Sequence, residues 1–161
     1  MRKENGFEWR EEQQKAFEEL KKWLISIPIL SYLDFEKPFI VMTDASMLGL
    51  GAILAQKDDQ NREVVIQYAS QRTNDAERNY APTQVEQLAV VWAVKYFRKY
   101  LMGNYFWIIT DHQAITSLIN TKEPTGLTAR WICALQEYTF EVIHRAGRKH
   151  TNIDTLSRLL I

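Results

Sequence analysis

The spacing of apolar residues changes along the chain, and each change marks an element. From Glu11 to Ile25, Ala16, Phe17, Leu20, Trp23 and Leu24 recur at helical spacing with Glu and Lys opposite, and Pro28 ends the segment. Pro38-Phe39-Ile40-Val41-Met42-Thr43 is an extended apolar run. Gly49 to Ala55 and Val64 to Ala69 follow, separated by the turn-like KDDQNRE. These three runs predict consecutive antiparallel strands. Thr83 to Tyr100 carries Val85, Leu88, Ala89, Trp92, Tyr96 and Tyr100 on one helical stripe, and Gly103-Asn104 closes it before the strand-like Tyr105-Phe106-Trp107-Ile108-Ile109. Beyond it the pattern predicts a short helix from His112 to Ile119, a loop over Glu123-Pro124-Thr125-Gly126 and a helix from Leu127 to Tyr138. A fifth strand from Thr139 to His144, a basic turn over residues 145–150 and a last short helix around Asp154 to Leu160 complete the chain. Strands followed by alternating helices and strands argue for a single α/β domain, a five-stranded mixed sheet flanked by helices, with an N-terminal helical extension.

Composition narrows this picture only slightly. The 161 residues suit one domain with a substantial core, and no apolar run approaches the roughly 18 to 20 residues of a membrane span. The N-terminus has no apolar signal core and Cys133 has no cysteine to pair with, so an intracellular, reducing setting is expected. Twenty Lys and Arg balance twenty Asp and Glu, so any nucleic-acid contact must come from a local patch.

Four acids stand at the ends of elements, and each has an ordinary structural explanation. Asp44 follows an apolar run in Thr43-Asp44-Ala45-Ser46, where it could cap a turn. Thr83-Gln84-Val85-Glu86 fits a capping box, Asp111 suits a helix N-cap, and Asp154 suits the first turn of a helix. Together they suggest more. The first and fourth strands both end in an acid after an apolar run and a threonine; if those strands are parallel neighbours, both carboxylates emerge at one sheet edge. Helices above that edge would present Glu86 and Asp154. Four clustered carboxylates would repel and partly protonate unless hard divalent cations held them, and two such ions suit phosphodiester hydrolysis without a Ser, Cys or His nucleophile.

With these residues the chain resembles the ribonuclease H domain that follows the polymerase in reverse transcriptases of gypsy-like long-terminal-repeat retrotransposons. The resemblance spans nearly the whole chain. It runs through Phe7-Glu8-Trp9, Thr43-Asp44-Ala45-Ser46, Gly49-Leu50-Gly51-Ala52, Glu77-Arg78-Asn79-Tyr80, Thr83-Gln84-Val85-Glu86, Thr110-Asp111-His112, and Gly147-Arg148-Lys149-His150 with Asn152-Ile153-Asp154-Thr155-Leu156-Ser157-Arg158. It implies a ribonuclease H-like fold over residues 37–161, preceded by a helix and linker, residues 1–36, from the polymerase thumb or connection. It also implies an Asp-Glu-Asp-Asp set of metal ligands at Asp44, Glu86, Asp111 and Asp154 holding two magnesium ions, with manganese as the alternative. The family pattern usually has Ala on both sides of the last acid, where this chain has Ile153 and Thr155.

The implied reaction is cleavage of the RNA strand of an RNA–DNA hybrid, with the polymerase domain of the same polyprotein as partner, no membrane, and a cytoplasmic retroelement particle, or alternatively the nucleus, as location. Ser46, Gly49, Gln84, Arg148 and Lys149 are the candidate substrate contacts, and His150 a candidate aid to proton transfer or product release. Lys95, Arg98, Lys99 and Arg145 are further candidate phosphate contacts, each also serving a solubilising face. His112 and His144 carry no metal-ligand spacing. Trp9, Phe17 and Trp23 read either as core or as a docking face. The rival readings are a catalytically silent connection module and a DNA-strand-transfer enzyme; the latter has its glutamate last, whereas here Glu86 comes second.

Overall fold

The computed structural model describes residues 9–26, 33–110, 114–124 and 126–144. In chain order the elements are α1 (Glu11–Ser26), β1 (Phe39–Ala45), β2 (Gly49–Lys57), β3 (Glu63–Arg72), a 3-10 turn (Glu77–Asn79), α2 (Pro82–Tyr96), α3 (Arg98–Leu101), β4 (Tyr105–Thr110), α4 (Ala114–Ile119), α5 (Gly126–Leu135) and β5 (Thr139–His144). The strands form one sheet in the order β3-β2-β1-β4-β5. β1, β2 and β3 are antiparallel neighbours, while β4 runs parallel to β1 and β5 parallel to β4. This is the expected five-stranded mixed sheet. The expected last helix and the basic turn lie outside the described residues.

The sheet separates two apolar layers of unequal size. On one face Phe39, Val41, Ala52, Leu54, Phe106 and Ile108 meet Val90, Val94 and Phe97, together with Ile115, Leu118, Trp131 and Leu135 from α4 and α5. On the other face Ile40, Met42, Ile53, Ala55 and Ile109 form a smaller cluster, with Val65, Tyr68 and Trp107 beside it. The central strands β1 and β2 are therefore buried on both faces, which is why their sequences read as nearly unbroken apolar runs. The edge strand β3 is half polar, as one exposed side requires.

The helix expected over residues 83–100 is divided. Phe97 leaves helical geometry (φ −89°, ψ 11°) and is fully buried, and the chain re-enters helix over Arg98–Leu101, burying Leu101 as well. The uninterrupted stripe in the sequence hides this break because both pieces point apolar residues at the same core. Gly103 then takes the left-handed conformation (φ +79°) that glycine adopts freely, turning the chain into β4.

Trp9 and Phe17 belong to no core cluster among the described residues. Trp9 is about half exposed, meets Phe17 edge-on at 5.7 Å, and donates its indole N–H to Gln14. The side chain of Trp23 lies outside the described residues. The chain enters the sheet through Gln56, which is 3% exposed: its amide accepts from the Asp34 N–H at 3.2 Å and donates to the carbonyls of Asp34 at 2.6 Å and Lys37 at 2.9 Å. Replacing Gln56 by Ala removes the partner of these part-buried backbone groups, so Gln56→Ala is expected to lower stability by about 1–3 kcal/mol in urea denaturation. An unchanged unfolding midpoint would show that the entry segment does not depend on it.

Candidate active site

The site begins with the pairing of β1 and β4. Phe39 to Met42 pair in parallel with Phe106 to Ile109, so both strands run toward the same edge. One residue beyond the last pair stand Thr43 and Thr110, both almost wholly buried; Asp44 and Asp111 come next in sequence. Asp44 is half-buried near the end of β1. Asp111 lies outside the described residues. Across the antiparallel ladder, Asp44 is paired with Gly51. Directly opposed side chains lie about 4.5–5.5 Å apart at Cβ, so a glycine at this position sets no side chain of its own beside the carboxylate.

The turn after Asp44 is tied down at several points. The Ser46 hydroxyl accepts from the backbone N–H groups of Leu48 at 3.3 Å and Gly49 at 3.1 Å, and the Ser46 N–H donates to the Gly49 carbonyl at 2.8 Å. Thr73, 2% exposed, donates its hydroxyl to the Met47 carbonyl at 2.7 Å and its N–H to that of Leu48 at 3.1 Å. Ser46 thus shapes the turn, and Gly49, opposite Arg72, opens β2. Thr73 gave no sequence signal, because its partners are backbone carbonyls 25 and 26 residues away in the chain.

Glu86 reaches the same corner from α2. The helix starts two residues earlier than the Thr83–Glu86 pattern suggests: Ala81 is the N-cap residue, Pro82 occupies the first helical position, and the Gln84 side chain accepts from the Ala81 N–H at 3.1 Å. Capping therefore falls to Gln84, and the capping-box explanation of Glu86 is replaced. Glu86 lies in the second turn, half-buried, with Oε2 enclosed. Its neighbours Val85 and Ala89 pack on Leu50, with Ala45 against the same cluster. Ala45 adjoins Asp44, so one small apolar cluster fixes the second turn of α2 against the end of β1.

Asp154, His112, His150, Arg145, Arg148 and Lys149 lie outside the described residues. His144 ends β5 opposite Thr110. Arg98 is committed to Glu137 at 2.6 Å and to the Tyr138 hydroxyl at 3.3 Å, and these partners hold its guanidinium above its ordinary pKa. Lys99 lies 4.7 Å from the centroid of the Tyr100 ring. Lys95 is exposed on α2. Among the described residues no group of three or more His, Cys, Asp or Glu could hold a metal ion. Asp44 and Glu86 are half of the expected four-acid set, and their all-oxygen donors suit a hard cation. No described helix is long and apolar enough to cross a membrane.

This mixed sheet is shared with solved ribonuclease H structures. The foamy viral protease–reverse transcriptase dRH in complex with double-stranded DNA superposes with a TM-score of 0.62 at 19% identity, over 88% of this chain and 28% of that one. The ribonuclease H1 of the halophilic archaeon Halobacterium salinarum gives 0.57 at 11% identity, over 76% and 96%. Residues 34–138 match the model of the RNase H-like domain found in reverse transcriptase, and the chain belongs to that family. The retrovirus-related Pol polyprotein from transposon 297 of Drosophila melanogaster is 44% identical over 147 residues, 91% of this chain. The transposon Tf2-3 polyprotein of Schizosaccharomyces pombe is 35% identical over 99% of it. The chain spans only 13% and 12% of those two relatives.

The capping assignment separates two roles that the sequence pattern merges. Gln84→Ala is expected to cost about 1 kcal/mol of stability through the lost N-terminal bond, whereas Glu86→Gln costs less than about 0.5 kcal/mol. Thermal unfolding of both variants checks this, and a larger loss from Glu86→Gln than from Gln84→Ala would restore Glu86 as the capping residue.

Proposed function

We propose that this domain is a metal-dependent endonuclease that hydrolyses the RNA strand of RNA–DNA hybrids as part of a retroelement reverse transcriptase. The observation that carries the reading is the parallel pairing of β1 with β4. It directs two strands that each continue into an Asp toward one sheet edge, while α2, packed on β1 and β2, carries Glu86 in its second turn. Family membership and the ribonuclease H fold support it further. A similar fold has been solved with a bound hybrid: LC11-RNase H1 in complex with an RNA/DNA hybrid has a TM-score of 0.54 at 14% identity, over 73% of this chain and 92% of that one.

In this reading Asp44, Glu86, Asp111 and Asp154 hold two magnesium ions, or manganese in their place. When bound, the ions supply activation of the attacking water and stabilisation of the departing 3′ oxygen. The chain's own residues provide the positioning. Asp44 is fixed by a central strand and by the tied turn after it, with Gly51 rather than a larger residue paired opposite. Glu86 is held by the Leu50 cluster, where an enclosed oxygen meets positive charge in a poorly screened setting. Gln84, at the helix start, and the backbone around Ser46 and Gly49 face the substrate, while Arg148 and Lys149 contact phosphate and His150 assists proton transfer or product release. The 2′-hydroxyl marks the RNA strand, and cleavage leaves 3′-hydroxyl and 5′-phosphate ends.

Residues 1–36 form the connection from the polymerase domain, and residues 37–161 the nuclease. The partly exposed Trp9 and Phe17 of the extension suit contact with that preceding domain. The polymerase then supplies much of the grip on the hybrid, since a chain with no net charge binds phosphate only through local patches. A cytoplasmic retroelement particle is the proposed location.

Magnesium titration with a labelled hybrid tests the reading. The parent chain is expected to cut the RNA strand in a magnesium-dependent manner. Asp44→Asn and Glu86→Gln, both folded, should each lose about a hundredfold or more in rate, the scale of removing one group that acts on transition-state charge. Retained cleavage in either variant would overturn the assignment, and a folded parent unable to cut would favour the silent connection module.

A further inference from the structure

The segment between β3 and α2 carries an arginine whose environment is unfinished. Thr73 fastens the start of this segment to the turn after Asp44, and Pro82 begins the helix that bears Glu86, so residues 74–81 border the corner just described. The segment is rigidly built. The Asn74 N–H donates to Glu77 Oε2 and the Glu77 N–H donates to Asn74 Oδ1, each at 2.9 Å, closing a reciprocal cap around the 3-10 turn. The Asn79 side chain donates to the Asp75 carbonyl at 2.9 Å, and Tyr80 packs edge-on against Trp131 and joins the apolar cluster that contains Ala45.

Arg78 projects from this turn. Its side chain is only 35% exposed, Nε is enclosed without a hydrogen-bond partner, and its ion pair is Nη1 to Asp75 Oδ1 at 3.1 Å. Asp75 itself is 99% exposed, so the pair is of the weak, water-screened kind. A half-buried guanidinium has five N–H donors in a fork suited to bidentate oxygen acceptors, and this one uses a single donor on a carboxylate that water solvates equally well. Such a group is poised for a stronger acceptor.

We propose that Arg78 binds a backbone phosphate of the hybrid, exchanging Asp75 for the phosphate as the nucleic acid docks. This rests on the hybrid-cleaving reading and adds to it a positioning contact on the helix side of the acids. Asp75 is then a placeholder that holds the guanidinium until substrate arrives. Lysine cannot form the two-pronged contact, so it would keep the charge and lose part of the affinity.

The test measures binding of a fluorescently labelled RNA–DNA hybrid by anisotropy across a range of salt, with calcium in place of magnesium, together with unfolding midpoints. Arg78→Gln is expected to weaken binding about tenfold at low salt and to reduce the slope of log affinity against log salt by about one. Arg78→Lys should retain the slope with intermediate affinity, and Asp75→Asn should bind as tightly as the parent or more tightly. Unchanged affinity and slope in Arg78→Gln would overturn the proposal. So would equal weakening by Asp75→Asn and Arg78→Gln with matching losses of stability, which would make the pair a prop for the turn. A folded parent that binds no hybrid would overturn the functional reading as well, whereas a hybrid-binding parent indifferent to Arg78 would overturn this inference alone.

Discussion

The structure depends on one parallel strand pairing. Parallel neighbours cannot be joined by a hairpin and need a crossover, which here comprises β2, β3, α2 and α3. That crossover has two consequences. It places β1 and β4 side by side inside the sheet, where Phe39 to Met42 and Phe106, Ile108 and Ile109 are buried. It also packs α2 against β1 and β2, with Val85 and Ala89 of its first turns against Leu50 and Ala45.

A carboxylate at such a place is costly, because the surrounding cluster is apolar and like charges repel. The fold bears that cost with local structure of unusual completeness. The turn after Asp44 is closed by Ser46 and fastened by Thr73, and the start of α2 is capped by Gln84 with proline at its first position. Each device removes freedom from a backbone next to an acid. Preorganisation of this kind is what divalent-ion chemistry on a phosphodiester demands, since the ligands must keep their spacing while charge moves.

Much of this was legible in the residue pattern, and the omissions have physical causes. The strands announced themselves because a central strand buried on both faces is an apolar run, and the equal order of apolar run, threonine and acid in β1 and β4 pointed to a shared edge. The division at Phe97 did not show, since Phe97 and Leu101 continue the apolar stripe on either side of the break. The Thr83–Glu86 pattern misled because Pro82 favours the first helical position and moves the helix start upstream, handing the capping role to Gln84. Contacts between a side chain and a distant backbone, such as Thr73 with Met47 or Gln56 with Asp34, leave no periodic trace. Asp111, Asp154 and the basic turn rest on sequence resemblance, as they lie outside the described residues.

The central claim is that the edge shared by β1, β4 and the start of α2 is a divalent-cation site. The most direct measurement is manganese-induced paramagnetic broadening of the backbone amide resonances of the full chain. Broadening is expected first at Asp44, Gly51, Glu86 and Thr110, with the opposite strand ends at Phe39, Gln56 and Tyr105 spared, and magnesium should compete it away. Broadening centred elsewhere, or spread evenly over the exposed carboxylates, would contradict the account.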